Sequence, residues 1–147
     1  MMNISLFPQW FIWALAAAVF AALTAIFAKL GLKNIDSDYA TFIRTVVILL
    51  ALAAFLTYTG KWQDPTTLSY KNWIFLVLSG LATGASWLAY FKALQMGNAT
   101  QVAPVDKFSI VLTTVFAVIF LAERPTAREW LGIAFICTGV LVLAFRR

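Results

Sequence analysis

Five apolar runs, separated by short polar connections, set the pattern of this chain. The first extends from Trp10 to Leu32, the second from Ala40 to Thr59 and the third from Trp73 to Leu94. The fourth extends from Val102 to Ala122 and the fifth from Trp130 to Phe145. Crossing a hydrocarbon core takes about 20 helical residues, so each run is long enough, the fifth at the short end. Strands are excluded, because an open strand edge in lipid leaves backbone N–H and C=O groups unpaired. The pattern predicts an all-α fold: a polytopic membrane bundle of five transmembrane helices, in one domain with no soluble part.

The connections carry the punctuation that such helices need. Lys33 to Tyr39 holds Asn34, Asp36, Ser37 and Asp38, residues that cap a following helix. Gly60 to Asn72 is the longest connection and has Asp64-Pro65 as its turn signal. Gln95 to Gln101 contains Gly97-Asn98, a helix-ending signature. Between Glu123 and Glu129, Pro125 precedes Thr126-Ala127-Arg128-Glu129, which fits a capping box with Thr126 at the cap.

Composition agrees with a lipid solvent. Hydrophobic residues make up 63% of the 147 and charged residues 12%, against about 45–50% and about 25% in soluble domains. There is no histidine, which removes imidazole acid–base chemistry and histidine metal ligands. The single cysteine, Cys137, closes no disulfide within the chain. No metal and no cofactor is expected. The net charge of +5 comes from basic residues flanking apolar runs, so lipid headgroups account for it and no nucleic-acid partner is expected. The opening MMNISLFP lacks a basic region and no small-residue cleavage pattern follows, so the first run reads as a retained span.

Five spans put the termini on opposite faces. Lys61, Lys71, Arg124 and Arg128 fall on the N-terminal face, and Lys29, Lys33, Arg44, Lys92, Lys107, Arg146 and Arg147 on the other. The excess of basic residues places the C-terminus in the cytoplasm, with insertion in both orientations as the alternative. Trp10, Trp13, Trp73 and Trp130 sit where interfacial anchors belong, whereas Trp87 lies near mid-span, lining a pocket or filling the core.

A helix turns 100° per residue, so spacing assigns faces. Ser79, Thr83, Ser86 and Tyr90 share a narrow polar face of the third run, with Lys92 nearly opposite. In the fourth run Asp106, Ser109, Thr113 and Ala117 fall within about 80° of one another, while Lys107 points elsewhere and does not pair with its neighbour. Thr41, Arg44 and Thr45 share a side of the second run. The alanine seam of the first run and the pairs Gly80/Gly84 and Gly132/Gly139 suit close helix packing. Serine and threonine faces serve equally to line a cavity, to join helices or to bond back to their own helix.

Lys29, Arg44, Lys92, Asp106 and Lys107 lie a few residues inside span ends, on one face. Long basic side chains there reach the headgroups; Asp106 is too short to do so. With Pro104 as the first helical residue, Asp106 is the third, where the helix dipole favours a carboxylate. A cation from another helix completes its neutralisation, Arg44 first and Lys92 or Lys29 second. The cluster forms either a structural clamp or a positive mouth that attracts carboxylate or phosphate groups.

The run PVDKFSIVLTTVFAVIFLAERPTAREWLGIAFICTGVLVL resembles the last two helices of an EamA domain of the drug/metabolite transporter superfamily. The residues that carry the likeness are Pro104, Glu123, Pro125, Thr126, Gly132 and Gly139. The phrase YFKALQMGNATQVAPVDK is similar to the junction of the third and fourth helices in that family. The resemblance covers about Trp10 to Phe145. Family members mostly carry two such units, inverted with respect to each other around a central cavity; this chain has one. The resemblance therefore implies a partner: an antiparallel homodimer, a parallel dimer or a paired homologous subunit. It also implies Ser79, Thr83, Ser86, Trp87, Tyr90, Asp106, Ser109 and Thr113 as lining residues.

The function expected is a secondary transporter, an exporter of a small polar or amphipathic metabolite. It would work as a dimer by alternating access in the bacterial cytoplasmic membrane. Trp87 and Tyr90 would meet apolar parts of the substrate, and Lys92, Arg44 or Lys29 an anionic group. Asp106 is the carboxylate placed for proton coupling. A lipid-linked sugar or headgroup translocase and a non-transporting scaffold subunit are the alternatives. An enzyme is not expected: there is no phosphate-binding glycine loop and no paired catalytic carboxylate.

Overall fold

The protein is described here from a computed structural model covering residues 8–144. The stretch before Pro8, the last residue of the fifth run, Phe145, and the terminal basic pair Arg146 and Arg147 lie outside the described residues. The helices are α1 (Gln9–Gly31), α2 (Ser37–Thr59), α3 (Tyr70–Met96), α4 (Ala99–Asp106), α5 (Ser109–Phe120) and α6 (Ala127–Ala144), with a 3-10 turn at Pro65–Thr67. No strand occurs among the described residues. Five spans are long and apolar enough to cross a membrane, α4 and α5 together forming the fourth.

The chain forms two compact units. The first, Ala28–Met96, contains the last turn of α1 with α2 and α3. Asp36 starts α2 as expected: its carboxylate accepts from the N–H groups of Asp38 and Tyr39 at 2.9 and 3.1 Å. This partners two of the N–H groups that a helix start leaves open. Gly60 ends α2 at φ 63°, a left-handed conformation that a side chain would strain. Asp64 then caps the 3-10 turn, accepting from the Thr66 N–H at 2.9 Å and the Thr66 hydroxyl at 2.8 Å. The core of this unit is small and gathers at one end of the α2–α3 hairpin, where Leu32, Ser37, Thr41, Phe91 and Leu94 are buried. Thr41 meets the demand of burial by donating back to the Ser37 carbonyl at 2.8 Å.

The second unit takes residues 8–27 and 97–144. Here α6 packs against both α4 and α5. The capping box at α6 forms as expected: the Thr126 N–H and hydroxyl donate to Glu129 Oε2 at 2.6 and 2.8 Å, and the Glu129 N–H returns to Thr126 Oγ1 at 3.4 Å. Gly97-Asn98 marks the end of α3 as expected, the helix stopping at Met96, but without a left-handed cap. The left-handed positions among the described residues are Asn34, Gly60 and Ala122, and Asn98 opens α4, its carbonyl accepting from Gln101 and Val102 at 3.0 Å each.

The fourth run also differs. Helix α4 begins at Ala99, so Pro104 is interior and not the first helical residue. A proline there removes one backbone donor and crowds the preceding turn. The chain responds by tightening: the N–H groups of Lys107, Phe108, Ile110 and Val111 each bond three residues back, at 2.9–3.0 Å. The break between α4 and α5 therefore falls at Lys107-Phe108, and the angular arithmetic linking Asp106 to Ser109 and Thr113 does not carry across it.

Candidate functional site

The most unusual side chain of the Ala28–Met96 unit is Arg44. It lies seven residues into α2, about 10 Å along the helix axis from the start of the span. Its guanidinium carbon sits 4.5 Å from the centroid of the Trp87 ring and 4.7 Å from that of Phe91. Trp87 and Phe91 are four apart on α3, so both rings emerge on one side of that helix. Phe91 is only 2% exposed and forms a closed floor, while Trp87 is half-buried. Tyr90 stands edge-on to Phe91, with centroids 6.3 Å apart.

Cation–π contact of this kind contributes roughly 0.5–2 kcal/mol. Placing an arginine deep in a span costs about 2.5–3.5 kcal/mol on insertion scales. The rings thus offset part of the burden but supply no hydrogen-bond acceptor. Arg44 Nη1 is buried and without a hydrogen-bond partner among the described residues. Such a donor, left unmatched, costs about 1–3 kcal/mol, more when charged. The three acidic residues of this unit, Asp36, Asp38 and Asp64, are engaged at helix or turn starts: Asp36 and Asp64 as caps, Asp38 accepting from the Ser37 hydroxyl at 3.3 Å.

Lys29 Nζ donates to the Leu94 carbonyl at 2.6 Å. Leu94 lies in the last turn of α3, where carbonyls have no partner within the helix and the dipole favours a cation. Nearby, Gln95 Nε2 donates to the Ile35 carbonyl at 2.9 Å, tying the α1–α2 connection to the same helix end. Lys92 is exposed.

The polar face of α3 is present. Ser79, Thr83 and Ser86 are all exposed, and Tyr90 is half-buried. The Thr83 hydroxyl donates to the Ser79 carbonyl at 2.9 Å, within its own helix, as do Thr41 and Thr45 on α2.

In the other unit, Asp106 and Lys107 correct two expectations. Asp106 is the last residue of α4, not the third of a helix, so the α4 dipole opposes its charge. Lys107 does pair with it, Nζ to Oδ2 at 3.2 Å. Neighbours on a regular helix diverge, but the chain leaves the helix here. The cation at this carboxylate within its own unit is Lys107. Ser109 and Thr113 are exposed on α5. Thr113 also borders a cleft of about 470 Å³ between α5 and α6, whose rim carries Glu123, Arg124 and Glu129.

Two features escaped sequence reasoning. Phe91 is the second ring over Arg44; its spacing of four from Trp87 was the available signal. The α5–α6 cleft had no signal beyond Gly132, whose missing side chain leaves space there.

Comparison with known proteins gives the family. Residues 8–145 match the model of the EamA-like transporter family. A protein of Sinorhizobium sp. described as "uncharacterized transporter in cobO 3'region" is 58% identical over 92% of this chain and 96% of its own length. The Bacillus subtilis "uncharacterized transporter YxxF" is 30% identical over 92% of this chain, which corresponds to 42% of that protein. A Yersinia pestis protein described as "probable 4-amino-4-deoxy-L-arabinose-phosphoundecaprenol flippase subunit ArnE" is 27% identical over 67% of this chain and 95% of its own length. No solved structure matches.

Proposed function

The chain belongs to the EamA-like transporter family, and from that premise we propose that it is a secondary transporter of a small polar or amphipathic metabolite, exporting it by alternating access as a dimer. The observation that carries this reading is the exposed row Ser79, Thr83 and Ser86 on one side of an apolar span. The Thr83 hydroxyl is met by the Ser79 carbonyl of its own helix, but serine hydroxyls facing hydrocarbon are unfavourable unless water or another polar group meets them. A second unit presenting the same row would enclose a wet chamber, and closed two-fold pairing is the ordinary way for a chain to supply one. The proportions of the relatives support this. The match spans 42% of the Bacillus protein but 96% of the Sinorhizobium one, so the matched unit occurs both within a longer chain and in a chain of about this size. An antiparallel pair would reproduce an inverted repeat with its site near the midplane.

The test uses the single native cysteine. In a Cys137→Ser background, Thr83→Cys is expressed in bacterial membranes. Water access predicts labelling by a membrane-impermeant maleimide, and pairing predicts oxidative cross-linking between copies. A residue that is neither labelled nor cross-linked is facing lipid, and the reading fails. Reporter fusions at the C-terminus separate the dimers: signal from both sides of the membrane marks the antiparallel pair, signal from one side the parallel one.

A second reading has one specific support. The Yersinia relative, matched over 95% of its length, carries a name that describes a subunit of a flippase for a phosphoundecaprenol-linked sugar. On that reading this chain is one subunit of a translocase for a lipid-linked sugar, and cross-linking captures a different membrane protein.

A further inference from the structure

We propose that Arg44 is a recognition point for an oxyanion, a carboxylate or phosphate group borne by an amphipathic ligand. This deepens the transporter reading and rests on it for the ligand's passage; binding itself is argued from Arg44.

The guanidinium is presented in a restricted way. Trp87 and Phe91 contact it through their rings at 4.5 and 4.7 Å. Aromatic stacking engages a guanidinium without consuming its in-plane N–H groups. Together they form the fork that fits two oxygens of one carboxylate or phosphate. Nη1 is buried and unmatched, a donor that neither water nor a neighbouring acceptor satisfies. Holding the long side chain against two rings also lowers the conformational entropy lost on binding.

The unit offers Arg44 no internal anion. It carries six basic residues against three acidic ones, and the acids sit at helix and turn starts. Lys29 is bound to the Leu94 carbonyl, which leaves Arg44 as the inward cation with open hydrogen-bonding capacity. The half-buried Trp87 ring beside it gives an apolar wall for the carbon skeleton of the same ligand. The chemistry therefore selects a group with two oxygens sharing one negative charge, attached to an apolar stem. A soluble metabolite and a phospholipid headgroup both meet that description.

The experiment is calorimetric titration of the full chain in dodecyl maltoside, a detergent without phosphate. Probes are hexyl phosphate and hexanoate, with hexyltrimethylammonium as the cationic counterpart. The two anions are expected to bind and the cation not to. Arg44→Lys keeps the charge but loses the fork, and is expected to weaken hexyl phosphate binding at least tenfold. Lys61→Gln, in the connection after α2, removes a charge elsewhere and should leave affinity within threefold. Equal affinity in wild type and Arg44→Lys overturns the proposal, as does an equal loss in Lys61→Gln or no anion binding by the wild type. Should Arg44→Lys fail to accumulate, Trp87→Leu loosens the guanidinium without removing it. At least threefold weakening is then expected, and unchanged affinity overturns the proposal. Competition by phosphatidylglycerol assigns the site to a headgroup; its absence assigns it to a soluble anion. Anion binding by a protein that fails the maleimide and cross-linking test would leave this site standing and remove the transporter reading.

Discussion

Arg44 and Trp87 meet face on, the guanidinium carbon 4.5 Å from the ring centroid, across the α2–α3 hairpin. If that contact holds the two helices in register, the residues must be energetically coupled. A double-mutant cycle with Arg44→Met and Trp87→Leu, followed by thermal unfolding in detergent, is expected to give a coupling of about 0.5–2 kcal/mol. Strict additivity would show that the ring does not hold the cation.

The Lys29 ammonium and the Leu94 carbonyl make a second link within the same unit, at 2.6 Å. Leu94 is fully buried, so water cannot replace a lost donor. Lys29→Met preserves the apolar stem and removes the charge-assisted bond, worth about 1.5–3 kcal/mol. A fall in unfolding temperature is expected, with faster amide exchange over the last turn of α3. Lys29→Arg should recover part of both. Stability unchanged in Lys29→Met would show that this bond does not hold the end of α3.

These two links also mark where the sequence stopped being readable. The spans follow from apolar run length, and the caps at Asp36, Asp64 and Thr126–Glu129 follow from residues a few positions apart. Both kinds of information are local. Lys29 and Leu94 lie 65 positions apart, and helical angle gives a face without saying which helix it meets. The polar face of α3 was therefore predictable, while the choice of Arg44 as the partner of Trp87 and Phe91 was not. The reading of Asp106 failed for a local reason. Proline suits a helix start, yet Pro104 stands inside α4, and the chain beyond it tightens into bonds to the third residue back. Every angle counted from it across Lys107 was displaced.

The connection between α2 and α3 carries a pH dependence with a defined sign. Hydrogen bonds from the Thr66 backbone N–H, and then from its hydroxyl, hold the Asp64 carboxyl below the ordinary carboxylate range. A depressed folded-state value means the ionised acid favours the ordered turn. That contribution is complete above the unfolded value and disappears as pH falls through the folded one. The Thr66 amide resonance is expected to be constant from pH 7 to about 5 and to move only below the ordinary carboxylate range. Asp64→Asn should abolish the movement. A Thr66 amide that titrates at or above the ordinary value would show that the carboxylate does not cap the turn.

Asp106 and Lys107 set the opposite case. Their side chains are 36% and 52% exposed and 3.2 Å apart. Exposed pairs of this kind contribute about 0–1 kcal/mol. The carboxylate also stands at the C-terminal end of α4, where the dipole disfavours it. The N-terminus of α5 begins three residues later, at Ser109, and acts in the other direction. These effects nearly cancel, so Asp106→Asn is expected to change stability by less than about 1 kcal/mol. Lys107→Met should do the same, and the double variant should equal the sum. A loss above about 2 kcal/mol in Asp106→Asn alone, measured by thermal unfolding of the purified protein, would mean that the carboxylate has a partner other than Lys107. A carboxylate held by such a partner would be the first group to examine for proton coupling.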